Sequence, residues 1–151
     1  MKATGFTHVS VYARDVEESV RFYTEFFGME RVPSPKFSTP VAWLRVGDLQ
    51  LHLLQSEDPA PTRQHFGLDV DDFEAAYRKA GEMGILAADR PPAVRELPDG
   101  AVQMYLRDPS GNLVEVNWPD ISTLDRTLIL ETKKVDGSPG AALYGNRRER
   151  T

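Results

Sequence analysis

Apolar and polar residues alternate along His8-Val9-Ser10-Val11-Tyr12-Ala13, and after Asp15 the apolar spacing changes to that of a helix. The same switch recurs from His65. Laid over each other without a gap, the two segments match His8 with His65, Asp15 with Asp72, Glu17 with Glu74 and Arg21 with Arg78. Asp15 and Asp72 stand where an N-cap is needed, since a carboxylate there accepts hydrogen bonds from the free backbone N–H groups of the first turn. The first helix is predicted to run to about Phe27 and stop at Gly28, the second to stop near Gly84.

Three strand-like runs follow each helix. In the first half they lie near Glu30–Pro33, at Val41–Val46 and at Leu49–Leu54, with Gly47-Asp48 as the tight connection. In the second they are Ala93–Leu97, Ala101–Arg107 and Leu113–Asn117, turned by Asp99-Gly100 and by the cluster Asp108-Pro109-Ser110-Gly111-Asn112. The chain therefore reads strand–helix–three strands, twice, an α+β organisation. One module covers about residues 5–55 and the other about 63–118, with the Pro59 and Pro61 linker between them. A domain over residues 1–120 is followed by an extension, 121–151. Within it Asp120–Lys134 has room for a short helix or strand, Asp136–Gly140 reads as a flexible joint, and Arg147–Arg150 as a solvated charged terminus.

Strand parity separates chemistry from core. His8, Ser10 and Tyr12 share one face of the first strand and Val9, Val11 and Ala13 the other. His52 opposes Leu49, Leu51 and Leu53; His65 opposes Phe66 and Leu68; Glu115 and Asn117 oppose Val114, Val116 and Trp118. The apolar faces need cover, which the two helices provide from outside. Three imidazoles and one carboxylate are left on the opposite face. All three histidines of the chain lie on that kind of face, two of them in equivalent registers of the repeat. Neutral imidazole and carboxylate suit a divalent cation such as Zn²⁺, Ni²⁺, Mn²⁺, Fe²⁺ or Co²⁺. On the same argument Gln103, Tyr105 and Arg107 line the polar face of the seventh strand, and Trp43 and Arg45 that of the third, as candidate substrate contacts.

Bulk properties narrow the remaining classes. The chain has 151 residues, 40% of them hydrophobic, enough for one core without disulfides. Cysteine is absent, which removes thiolate ligands and thiol nucleophiles and fits a reducing compartment. A formal net charge of −5 argues against non-specific nucleic-acid binding. Neither a signal peptide nor a run of roughly 18 apolar residues is visible, so no membrane partner is expected. These features predict a cytoplasmic protein acting on a small molecule.

The segments Phe6–Val11, Leu49–Leu54, His65–Val70 and Asp108–Val116, above all the Asp-Pro-x-Gly-Asn-x-x-Glu run ending at Glu115, resemble the metal-bearing strands of the vicinal-oxygen-chelate superfamily. That superfamily comprises the glyoxalases, bleomycin-resistance proteins and extradiol dioxygenases. The resemblance covers residues 5–118. It implies two βαβββ modules curving into a mixed sheet around a metal cavity, with ligands at His8, His52, His65 and Glu115, and a homodimer. Glyoxalases commonly carry glutamate at the position of His52, so here only one of the four ligands is anionic. The implied activity is lyase or isomerase chemistry through an enediolate-type intermediate, with Glu115 as ligand and base. The alternatives are an Fe(II)-dependent ring-cleaving type of dioxygenase, and a non-catalytic small-molecule binding or resistance protein.

Overall fold

The structure is a computed structural model and describes residues 1–89, 93–129 and 132–137. Its elements follow in the order β1 (His8–Ala13), α1 (Val16–Phe27), β2 (Glu30–Val32), β3 (Val41–Val46), β4 (Leu49–Gln55), β5 (His65–Asp69), α2 (Phe73–Glu82), β6 (Val94–Glu96), β7 (Val102–Arg107), β8 (Leu113–Trp118) and β9 (Thr132–Lys134). One sheet has the strand order β1-β4-β3-β2 and the other β5-β8-β7-β6-β9. The first four strands of the second sheet thus repeat the order of the first, and the two-module α+β reading is borne out. In the first sheet β1 runs parallel to β4, while β3 is antiparallel to both β4 and β2. Both sheets are mixed and open.

The helix ends follow from the residues expected to make them. Asp15 Oδ1 accepts from Glu18 N at 2.9 Å and Asp72 Oδ1 from Ala75 N at 2.8 Å. Gly28 takes a left-handed φ of 65°, which a side chain would disfavour, and its N–H closes the helix on Thr24 O. Helix α2 ends at Glu82, with Gly84 in the left-handed region two residues on.

By contacts the chain divides into two compact units, residues 1–66 with 107–113, and residues 67–106 with the chain from Val114 on. In the first unit α1 buries Val16, Val20, Phe22 and Tyr23, packing chiefly against β2, β3 and β4, whose Ala42, Leu44, Leu51 and Leu53 are buried. Strand β1 is a sheet edge beyond most of that cover, so Val9 stays 36% exposed instead of joining the core. Leu49, the first residue after the Gly47 turn, is likewise exposed. The core of the second unit holds Phe73, Ala80, Val94, Val102, Met104, Leu106, Val114 and Val116.

The extension contributes both kinds of element its sequence allowed. A single 3-10 turn spans Ile121–Thr123, and β9 lies parallel to β6 with Val94 opposite Thr132. Most of the Asp136–Gly140 joint and all of Arg147–Arg150 lie outside the described residues. Among the described residues no helix is long and apolar enough to cross a membrane.

The turn before β8 is organised by one carboxylate. Asp108 Oδ1 accepts from Ser110 N at 2.9 Å and Asn112 N at 2.7 Å; Oδ2 accepts from Tyr23 Oη at 2.9 Å and Asn112 Nδ2 at 2.8 Å. Ser110 Oγ in turn accepts from Arg14 N, and Asn112 Nδ2 donates to Tyr12 O. Burial pushes the Asp108 carboxyl above the usual carboxylate range, and the donated hydrogen bonds work against that shift. Burial and the Asp108 charge push the Tyr23 phenol up, which keeps it a donor. We predict that Asp108→Asn, which turns an accepting oxygen into an NH₂ facing two donors, lowers stability by about 1–3 kcal/mol in urea denaturation. An unchanged midpoint would contradict the assigned role.

Candidate functional site

In the first unit, three aromatic rings from adjacent strands stack. His52 on β4 lies between Trp43 on β3, with centroids 4.4 Å apart and planes 7° apart, and His8 on β1, at 4.3 Å and 15°. The β3–β4 register places Trp43 opposite His52, so that half of the stack follows from the strand pairing, whereas His8 stands opposite Gln50 and reaches His52 diagonally. Burial, and next the charge of His8, push the His52 imidazole below its ordinary range, so it stays neutral and keeps a lone pair. His52 Nε2 bonds Gln50 Oε1 at 2.8 Å, and Thr7 Oγ1 lies 2.9 Å from His8 Nδ1.

His65 belongs to the same unit. Its Nδ1–H donates to Arg63 O at 2.9 Å. A backbone carbonyl can only accept, so Nδ1 carries a hydrogen and Nε2 is the nitrogen through which this ring could ligate a metal. A groove of about 490 Å³ opens beside it, walled by Val9, Tyr12, Leu54, Phe66 and Leu113. That is a volume suited to a small molecule.

Glu115 lies in the second unit, on the central strand β8, and is only 5% exposed. Tyr105 on β7 donates its hydroxyl to Glu115 Oε2 at 2.6 Å, with Gln103 Oε1 3.3 Å from the same hydroxyl. Gly67 on β5 makes room for the carboxylate. A Cβ there would stand 3.3 Å from Glu115 Oε1 and 2.8 Å from Asn117 Nδ2.

The expected site residues separate accordingly. His8, His52 and Trp43 form one cluster; Glu115, Tyr105 and Gln103 form another; His65 is fixed through its own backbone carbonyl partner. Among the described residues no group of three or more His, Asp or Glu side chains is placed to hold a metal ion within the chain. The donor set nevertheless suits such an ion: imidazoles, one held through its Nδ1–H, and a carboxylate oriented by a phenol. The two arginines expected to contact substrate have structural partners. Arg45 pairs with Glu30 across the β2–β3 register, and Arg107 donates to Gly111 O at 2.9 Å and Thr62 O at 3.4 Å.

Two further residues belong to the Glu115 face. Asn117 is two positions along the same strand, and its Oδ1 is buried with no hydrogen-bond partner. Arg95 on β6 pairs with Gln103 on β7, and its guanidinium carbon lies 5.4 Å from the Tyr105 ring centroid. Its Nε is also buried and without a partner. The strand parity that located Glu115 covers Asn117 as well, but nothing in the sequence signals an unsatisfied amide.

Comparison with known proteins gives a consistent result. Residues 5–116 match the family described as the Glyoxalase/Bleomycin resistance protein/Dioxygenase superfamily. Over 118 residues the chain is 30% identical to the uncharacterized protein YwbC of Bacillus subtilis, covering 72% of this chain and 92% of that one. It is 29% identical over 126 residues to Glyoxylase I 4 of Arabidopsis thaliana, covering 75% and 70%. Among solved structures, the oxidase ChaP-H2 superposes with a TM-score of 0.62 at 26% identity, over 80% of this chain and 98% of that one.

We predict that Gly67→Ala displaces Glu115 or Asn117 and costs about 1–3 kcal/mol, because the new methyl meets both side chains on the sheet. Parent-like stability, with an unshifted Glu115 carboxyl resonance in NMR, would show that this close approach does not position the carboxylate.

Proposed function

This chain belongs to the Glyoxalase/Bleomycin resistance protein/Dioxygenase superfamily, and from that premise we propose a metal-dependent lyase or isomerase acting on a small oxygenated substrate. The observation that carries the reading is the buried Glu115 carboxylate held by the Tyr105 hydroxyl at 2.6 Å. In this reading His8, His52, His65 and Glu115 hold one divalent cation, and the enzyme is a homodimer. Support for association comes from edge strand β1, which leaves Val9 and Tyr12 exposed.

A divalent ion supplies Lewis-acid polarisation of neighbouring substrate oxygens. The chain's own groups do the rest. Stacking between Trp43 and His8 fixes the His52 ring plane, and the Arg63 carbonyl fixes the tautomer of His65. Tyr105 holds Oε2 of Glu115 and orients the carboxylate that takes a proton from the substrate carbon and returns it. Burial of the strand β8 side chains keeps bulk water from competing for that proton.

An iron-dependent oxygenase is the second reading, favoured by the likeness to the oxidase ChaP-H2. Metal preference separates the two, since redox-inert Zn²⁺ supports only the first.

Zinc affinity of His8→Ala, His65→Ala and Glu115→Gln, titrated against a chromophoric chelator, tests the ligand set. Each variant should lose more than the roughly 10–100-fold that removal of an outer-shell partner costs. Parent-like affinity in all three would leave a small-molecule binding protein as the better reading.

A further inference from the structure

His8 and His52 face each other with ring centroids 4.3 Å apart and planes 15° apart. Imidazole rings that close cannot lie edge to edge, so they overlap at about 3.5 Å, the contact distance of carbon atoms. An imidazole binds a metal through a nitrogen lone pair in the plane of its ring, at about 2.0–2.1 Å for zinc. Planes inclined at 15° and separated by about 3.5 Å meet only about 13 Å from the rings. No single ion therefore lies in both planes at bonding distance while the rings stay stacked. One ring has to turn before His8 and His52 hold the same cation.

The strand pairing decides which ring turns. Trp43 stands directly opposite His52, so their contact, with centroids 4.4 Å and planes 7° apart, is built into the register. His52 is also half-buried, and its Nε2 bonds Gln50 Oε1 at 2.8 Å. His8 stands opposite Gln50 and meets His52 only on the diagonal. It is exposed on edge strand β1, where Thr7 Oγ1 lies 2.9 Å from its Nδ1. Rotation of His8 about its side-chain bonds gives up that hydrogen bond and one ring contact, and it leaves every strand pairing intact. Rotation of His52 breaks two ring contacts and the bond to Gln50.

We infer that the His8–His52 stack and a shared metal ion exclude each other: His8 turns out of the stack when the ion binds, and His52 stays against Trp43. This rests on His8 and His52 as ligands of one ion, and it makes the stack a latch that a divalent cation opens.

NMR of the imidazole rings in the full chain reads the latch, because three histidines give few signals to assign. Spectra are recorded at about pH 8, above the ordinary imidazole range, after chelator treatment and dialysis, and again with added Zn²⁺. Elemental analysis of the same samples gives their zinc content. Without zinc, nuclear Overhauser contacts should join His8 to His52 and His52 to Trp43. With zinc bound, the His8–His52 contacts should be lost and the His52–Trp43 contacts kept. His8→Phe retains a ring without a nitrogen, so its contact with His52 should survive excess zinc. Zinc-loaded protein that keeps the His8–His52 contacts, or loses those of His52 with Trp43 instead, overturns the latch while its zinc uptake upholds the metal reading. Absence of the His8–His52 contacts before zinc is added, or their loss in zinc-treated His8→Phe, overturns the latch as well. A chain that takes up no zinc refutes the metal reading itself, and the latch with it.

Discussion

A carboxylate buried in a sheet is costly unless its surroundings replace the water it has lost, and the second sheet is arranged around that requirement at Glu115. Tyr105 supplies a short hydrogen bond from the adjacent strand, and Gly67 withholds a side chain where one would collide. Strand β8 is buried on both faces for nearly its whole length. A carboxylate kept in such a place at a conformational cost is a natural seat for a cation or for a reacting proton.

The first unit meets a different constraint. Its imidazoles are held by stacking and by hydroxyl, amide and backbone partners. The Asp108 carboxylate ties the turn that leads into β8 to Tyr23 of α1 and, through Asn112 and Ser110, to Tyr12 and Arg14 beside it. A motif that looks catalytic for its density of polar residues is thus an anchor. Its product is the position at which β8 begins.

Local rules made the scaffold legible. The N-cap aspartates, the Gly28 stop and the period-two strands need only near neighbours, and the repeat between His8 and His65 fixed the strand count of each module before any pairing was known. Parity also set His52 and Trp43 on faces where their rings stack, and Glu115 on a face where Tyr105 bonds it. What parity could not decide was which long side chains remain free. Arg45 and Arg107 share the right faces yet spend their guanidinium groups on Glu30 and on backbone carbonyls. Val9 departed from its expected burial because helix cover is set by packing direction, a tertiary choice.

Metal content tests the proposed divalent-ion site most directly. Untagged protein purified without chelator should contain a divalent ion by elemental analysis, close to one per chain, or acquire that amount after equilibration with Zn²⁺, Ni²⁺, Mn²⁺, Fe²⁺ or Co²⁺ and gel filtration. Protein that emerges metal-free from every one of these equilibrations contradicts the account.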